Sequence, residues 1–237
     1  GAPAPAAGAK AITAADYVRR RRRTAVRVAL LGFGLLLGGL CLHGPRTQVL
    51  ALMSLIGGTM ASWVGIALMD RWVAMPRAED ALAGALAEAG SLFTLYNWAL
   101  PADHVVVAPW GLAVLHPFNT EGPVAVDGPV WRDRRAVWRR LLAFGRRAIR
   151  NPRPFVDADV AALRAALAEA DATFAAVPIA AVVVFTRPGL VLTTGPRPPD
   201  PDTVVAAGLR AWLRDEGRRH AALPPGDARR LHAVVAD

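Results

Sequence analysis

Two long apolar runs near the N-terminus dominate the hydropathy pattern of this 237-residue chain; behind them come short strand-like runs and then helical periodicity. Thr24 to His43 (TAVRVALLGFGLLLGGLCLH) carries Arg27 as its only charge, and Gln48 to Met69 carries none until Asp70 and Arg71 close it. At 1.5 Å per residue, about 20 residues cross the roughly 30 Å hydrocarbon core of a bilayer. Transmembrane helices are therefore predicted over 24–43 and 48–69. Arg27 lies one turn inside the first and can snorkel to the headgroups. A secretory signal would end at a small-residue cleavage site and would not be followed at once by a second span. So short a connection, His43–Thr47, forces an antiparallel hairpin. Gly34 and Gly38 stand four apart, as do Ser54, Gly58 and Ser62, and such spacing lets helix backbones approach closely. The same faces are equally suited to a partner's helix.

Beyond the spans the pattern predicts a domain over 71–237. Arg77–Ala89 reads as a helix, Ala- and Leu-rich with acids in its first turn. Leu92–Leu100 reads as a strand with Phe93, Leu95 and Asn97 on one side. Asp103–Ala108 is a buried-type strand, joined through Pro109-Trp110-Gly111 to a third strand, Leu112–Phe118. Gly122–Trp131 holds an Asp127-Gly128 turn between short extended pieces. A helical period follows from Asp133 to Arg150, carried by Val137, Leu141, Leu142, Phe144, Ala148 and Ile149, and a second helix spans Asp157–Ala172. Ile179–Thr186 is a strongly β-branched strand and Leu190–Thr193 a further one. Thr203–Glu216 reads as helix, and a tail helix follows the Pro224-Pro225 break. This order predicts a two-helix transmembrane hairpin followed by an α/β domain with a mixed sheet.

Charge adds topology. Residues 1–70 hold 8 Lys/Arg against 2 Asp/Glu, and residues 71–237 hold 20 against 17, so most of the net +9 flanks the membrane runs. Arg19–Arg23 precede the first span and Arg71 and Arg77 follow the second, while the connection holds only Arg46. Basic residues favour the cytoplasmic side, so both termini are expected in the cytoplasm of a multi-pass cell-membrane protein. Residues 1–15 are Ala/Pro/Gly-rich and are expected to be disordered, within a basic tail extending to residue 23. The glycine at position 1 suggests a processed or trimmed N-terminus. Beside a span, the arginine run suits anionic lipid better than nucleic acid. Cys41, the single cysteine, lies in an apolar run and forms no disulfide within the chain.

The segment 132–153 sets nine arginines against one acid, Asp133. Arg135, Arg139, Arg146 and Arg150 recur at helical spacing opposite Val137, Leu141 and Ala148. That face is open to three readings: a solvated surface, a contact for an acidic protein or anionic headgroups, or a phosphate contact on nucleic acid.

Glu79 in the opening helix, ADHVVVAPWGLAVL (102–115), Asn119 with Gly122, VDGPVW (126–131), Asn151-Pro152 and VVVFT (182–186) together resemble the nuclease-related NERD domain. That family is a branch of the PD-(D/E)xK, restriction-endonuclease-like fold, and the similarity covers about 77–190. The resemblance implies a site with Glu on the first helix, Asp at the start of the second strand and E-x-K on the third. In such a site the carboxylates hold a divalent cation that polarises phosphate and activates water, and the lysine stabilises developing charge. Glu79 and Asp103 match. E-x-K falls on His116-Pro117-Phe118, and the family's N-P-x-x-Q ends here on Phe155. Lys10 is the only lysine in the chain, so no other lysine can take the role. The positions Glu79, Asp103, His116 and Phe118 are therefore read as vestigial. Asp103, His104 and His116 could alternatively cluster around a metal, but the favoured reading is polar residues left where a site decayed. No Ser/His/Asp triad, Gly-rich phosphate loop or C-x-x-C is present. The expectation is a pseudo-nuclease without cofactor or metal, serving as scaffold or accessory subunit of a membrane complex. Its partners would be membrane lipids and other membrane-protein subunits. A membrane-tethered nucleic-acid-binding protein or divalent-metal-dependent nuclease is the alternative.

Overall fold

A computed structural model describes residues 9–42, 44–73, 77–87, 89–134 and 149–236. It divides into two units, a helical hairpin built on Ala15–Arg77 and an α/β body.

In the hairpin, α1 (Ala15–Cys41) and α2 (Gln48–Trp72) are both long and apolar enough to cross a membrane. Large apolar side chains point outward along them: Leu30, Phe33, Leu40, Val49, Met53, Met60 and Trp63 are each 59–71% exposed. The helices meet along a narrow seam. The buried residues of α1 are Val18, Ala25, Gly32 and Gly39, and those of α2 are Gly58, Gly65 and Trp72. Each set steps by seven, the repeat that keeps one seam facing a partner in a left-handed supercoil. The glycines are there for space. A Cβ on Gly32 would stand 2.5 Å from the Ser62 amide nitrogen, one on Gly58 2.8 Å from that of Leu36, and one on Gly65 2.7 Å from Ala29 Cα. Ser54 Oγ ties the helices by donating to the Leu35 carbonyl at 2.7 Å.

Gly58 and Ser62 lie in this contact, whereas Gly34 and Gly38 do not. A Cβ on Gly34 would meet nothing within 4 Å, and one on Gly38 only Ser54 Oγ at 4.0 Å. The four-residue spacing picks out the wrong stripe of α1 because the contact follows a heptad. Gly32→Leu is therefore expected to destabilise the hairpin by about 1–3 kcal/mol and Gly34→Leu to leave it unchanged, measured by thermal unfolding of the full chain in detergent. The reverse ranking would refute the heptad seam.

The first helix also begins before the predicted span. The helix starts at Ala15, so Arg19–Arg23 occupy its opening turns. Nor is the segment before it wholly irregular: Lys10–Thr13 forms strand β1. Composition hides this strand because its order comes from a distant partner. It pairs in parallel with β2 (Thr94–Asn97), from Lys10↔Thr94 to Thr13↔Asn97. Asn97 Nδ2 adds a bond to Thr13 Oγ1 at 3.2 Å.

The body's main sheet also contains β3 (His104–Ala108), β4 (Gly111–Phe118), β7 (Ile179–Phe185) and β9 (Thr203–Val205), in the order β1-β2-β3-β4-β7-β9. β2, β3 and β4 are antiparallel neighbours, and β7 lies parallel to β4. The sheet is mixed, as predicted. Side-chain alternation gives it two buried faces. Leu95, Val106, Ala113, Leu115, Val182 and Val184 pack under α3 (Ala78–Leu86) and α5 (Leu209–Arg219). Tyr96, Val105, Val107, Leu112 and Val114 pack under α4 (Arg153–Ala170) and α6 (Pro225–Ala236). The result is a helix–sheet–helix sandwich. Thr203–Val205, predicted as helix, is an edge strand, because two β-branched valines complete the ladder beside β7.

A second sheet, β6-β5-β8, comprises β5 (Gly122–Asp127), β6 (Val130–Asp133) and β8 (Leu190–Thr194). The predicted Asp127-Gly128 turn joins β5 to β6, with Gly128 at φ +57°. Arg197 donates to both carboxylate oxygens of Asp127 at 3.1 and 2.9 Å, and these bonds hold that carboxyl below its ordinary range. Of the predicted basic helix, Arg135, Arg139 and Arg146 lie outside the described residues; Arg150 is described and exposed.

Candidate functional site

The sequence singled out the carboxyl-terminal end of β4, and its surroundings decide what that end can do. In the parallel register with β7, His116 pairs with Val183 and Phe118 with Phe185. His116 and Phe118 therefore rise from the face that α4 covers. His116 Nδ1 approaches Asp159 Oδ2 of α4 at 3.6 Å, both side chains being about a quarter to a third exposed. Phe118 sits in an aromatic cluster, its ring centroid 5.6 Å from Phe185 and 6.0 Å from Trp131, which are themselves 6.0 Å apart. Val124, Val126, Ile149 and Val156 complete this buried group. The spot where the resemblance asks for an ammonium is apolar.

The acids are arranged no better for a cation. Asp103 immediately precedes β3, where its carbonyl accepts from the Trp98 amide at 2.7 Å and closes the β2–β3 turn. Trp98 itself has φ +61°. Continuing the β3–β4 register two residues past Val105↔Val114 sets Asp103 opposite His116. Glu79 is buried on α3, whose Leu82 and Leu86 pack on the other face of the sheet. Among the described residues, no three His, Cys, Asp or Glu side chains converge on a point that could hold a metal ion. The alternative cluster of Asp103, His104 and His116 does not form, for a steric reason. Adjacent strand residues point to opposite faces. His104 is 1% exposed, its Nδ1 bonded to Asn97 Oδ1 at 2.8 Å and its ring edge-on to Trp98 at 4.7 Å.

The other residues behind the resemblance do structural work. Asn119 Oδ1 accepts from Arg187, whose Nη1 also reaches Glu121 at 3.3 Å, so the ends of β4 and β7 are clamped together. Gly122 takes φ +89° as the chain leaves for the second sheet. Asn151 Nδ2 donates to the carbonyls of Pro129 (2.8 Å) and Asp200 (3.1 Å), and its Oδ1 accepts from the Arg153 amide at the start of α4. Phe155 is 62% exposed. Sequence reasoning missed Asp159: it lies in a helix amid other acids, and nothing in its spacing marks it as facing His116.

The chain thus joins an α/β domain with a mixed sheet to two helices long and apolar enough to cross a membrane. No family model, curated protein or solved structure matches it.

Proposed function

We propose that this is a membrane-anchored, non-catalytic relative of the nuclease-related domain, acting as scaffold or accessory subunit of a membrane complex. Anchoring is supported by the outward-facing apolar side chains of α1 and α2. Inside a soluble core such residues would be covered, whereas here only 17% and 11% of the most apolar stretches are buried. In chain order β1 precedes the hairpin and α3 follows it, and both belong to the α/β body, which suits two spans better than one. The arginine-rich ends support a cytoplasmic position for that body.

The relationship to restriction-endonuclease-like domains is supported by the main-sheet elements α3-β2-β3-β4-α4-β7, with β5 and β6 of the second sheet between β4 and α4; β2, β3 and β4 are antiparallel neighbours and β7 is parallel to β4. The single observation that carries the non-catalytic reading is Phe118 within the Phe185–Trp131 cluster. Neither His116 nor Phe118 supplies what a phosphate-cleaving site needs there, and groups of that kind are each worth on the order of 10²–10³ in rate. A second reading, a tethered nucleic-acid-binding protein, is favoured by exposed Arg132, Arg134 and Arg150.

Purified full-length chain in mild detergent is expected to cleave no DNA with Mg²⁺ or Mn²⁺, and Asp103→Ala to behave identically. Metal-dependent cleavage abolished by Asp103→Ala would overturn the proposal. Salt-dependent DNA binding without cleavage would favour the second reading. The full chain is required, since a fragment beginning at residue 71 lacks β1. Co-purification of defined membrane-protein subunits, identified by mass spectrometry, tests the accessory role.

A further inference from the structure

Positive charge gathers at one end of the helical hairpin. Arg19 to Arg23 and Arg27 on α1 are all exposed, as is Arg71 near the end of α2. Asp16 and Asp70 are the acids there, so seven cations face two anions, a net of +5. Arg19 is bonded to Asp16 at 2.8 Å. Arg21 lies over the Tyr17 ring at 5.1 Å and Arg71 over the Trp72 ring at 5.5 Å, and the two rings meet edge-on at 5.9 Å. This aromatic pair, one ring from each helix, is of the kind that settles at a membrane–water boundary.

Among the described residues, Arg20, Arg23 and Arg27 have no carboxylate partner. Their three- and four-residue steps set them on one side of α1, turned away from the Val18–Ala25–Gly32 seam. Over the seven residues from Arg20 to Arg27 this stripe climbs about 10 Å into apolar surface, where Val26, Leu30 and Leu31 are 38%, 64% and 59% exposed.

We propose that Arg20, Arg23 and Arg27 bind the phosphate of an anionic phospholipid; this rests on the membrane-anchored reading above. Guanidinium groups grip phosphate oxygens bidentately. The apolar setting of Arg27 selects the source. A ligand satisfying it brings phosphate to the hydrocarbon boundary and lays acyl chains against Leu30 and Leu31. Nucleic acid has no apolar tail to place there.

The test titrates phosphatidylglycerol or zwitterionic phosphatidylcholine into the full-length chain in neutral detergent and follows its unfolding temperature. Phosphatidylglycerol should raise it and phosphatidylcholine should not. At about fivefold per arginine near an anionic surface, Arg20→Gln/Arg23→Gln/Arg27→Gln together should raise the half-saturating phosphatidylglycerol concentration on the order of a hundredfold. The single changes Arg23→Gln and Arg27→Gln give graded losses should the triple variant not be recovered folded. Lysine at all three positions should lose less than glutamine, and Arg46→Gln, at the other end of the hairpin, should lose nothing. Equal response to the two lipids, or an unchanged response in the glutamine variants, overturns the site. So does an oligonucleotide or inorganic phosphate that stabilises as well as phosphatidylglycerol. A chain that stays monodisperse and folded after detergent removal instead refutes the membrane reading itself.

Discussion

Alanine at Gly111 is expected to destabilise the α/β body by about 3–5 kcal/mol, lowering its unfolding temperature by about 10 °C. Gly111 closes the turn between β3 and β4 with φ +149°, a conformation L side chains rarely adopt. Space is lacking as well. An added Cβ would overlap the Pro178 carbonyl oxygen and stand 3.2 Å from its carbonyl carbon and 3.3 Å from its Cβ. That same oxygen accepts from the Leu112 amide at 2.9 Å and starts the β4–β7 register. Relief of the clash therefore pulls apart two largely buried strands of the sheet. Tryptophan fluorescence during denaturation of the full chain in detergent measures the effect. A loss under about 1 kcal/mol would mean that the turn is not built this way.

Phe118→Lys, the change that installs the lysine the proposed nuclease relationship asks for, is expected to cost about 2–3 kcal/mol. It removes two of the three ring contacts in the Phe118–Trp131–Phe185 cluster, each worth about 0.5–1.5 kcal/mol beyond the buried area. It also brings an ammonium beside a buried apolar group. Phe118 is only half-buried, so the lysine can bend toward solvent, which keeps the cost below that of a fully enclosed charge. Phe118→Leu, apolar and smaller, should cost about 1 kcal/mol. The same unfolding measurement ranks the two. A lysine variant as stable as the parent would show that the cluster does not close this position.

How much of this was legible in the residues depended on how local each signal was. The two apolar runs, the strand Ile179–Phe185 and the Asp127-Gly128 turn are written in contiguous residues, and all three are present. The hairpin's contact face was not legible, because Gly32, Gly34, Gly38 and Gly39 differ only in which way each faces; the seven-residue step of Ala25–Gly32–Gly39 was the available sign. β1 and β9 were missed for a common reason. Four and three residues long, they owe their extended form to a neighbour 84 and 20 residues away, Thr94 for Lys10 and Val183 for Thr203. At the candidate site the sequence named His116 and Phe118 and the chemistry they lack. It could not show that Phe118 packs in an aromatic cluster, since Trp131 and Phe185 join it from other strands.

Lys10 meets Thr94 only after both membrane-length helices between them have been made. A ribosome delivers β1 first, yet its hydrogen-bonding partner leaves the exit tunnel some eighty residues later. In a membrane-anchored chain the helices enter the bilayer during that wait. If the second helix fails to return, Lys10–Thr13 and Thr94–Asn97 are stranded in different compartments and the sheet's edge stays open. In a membrane-anchored chain, closure of that edge thus requires a hairpin that has turned back.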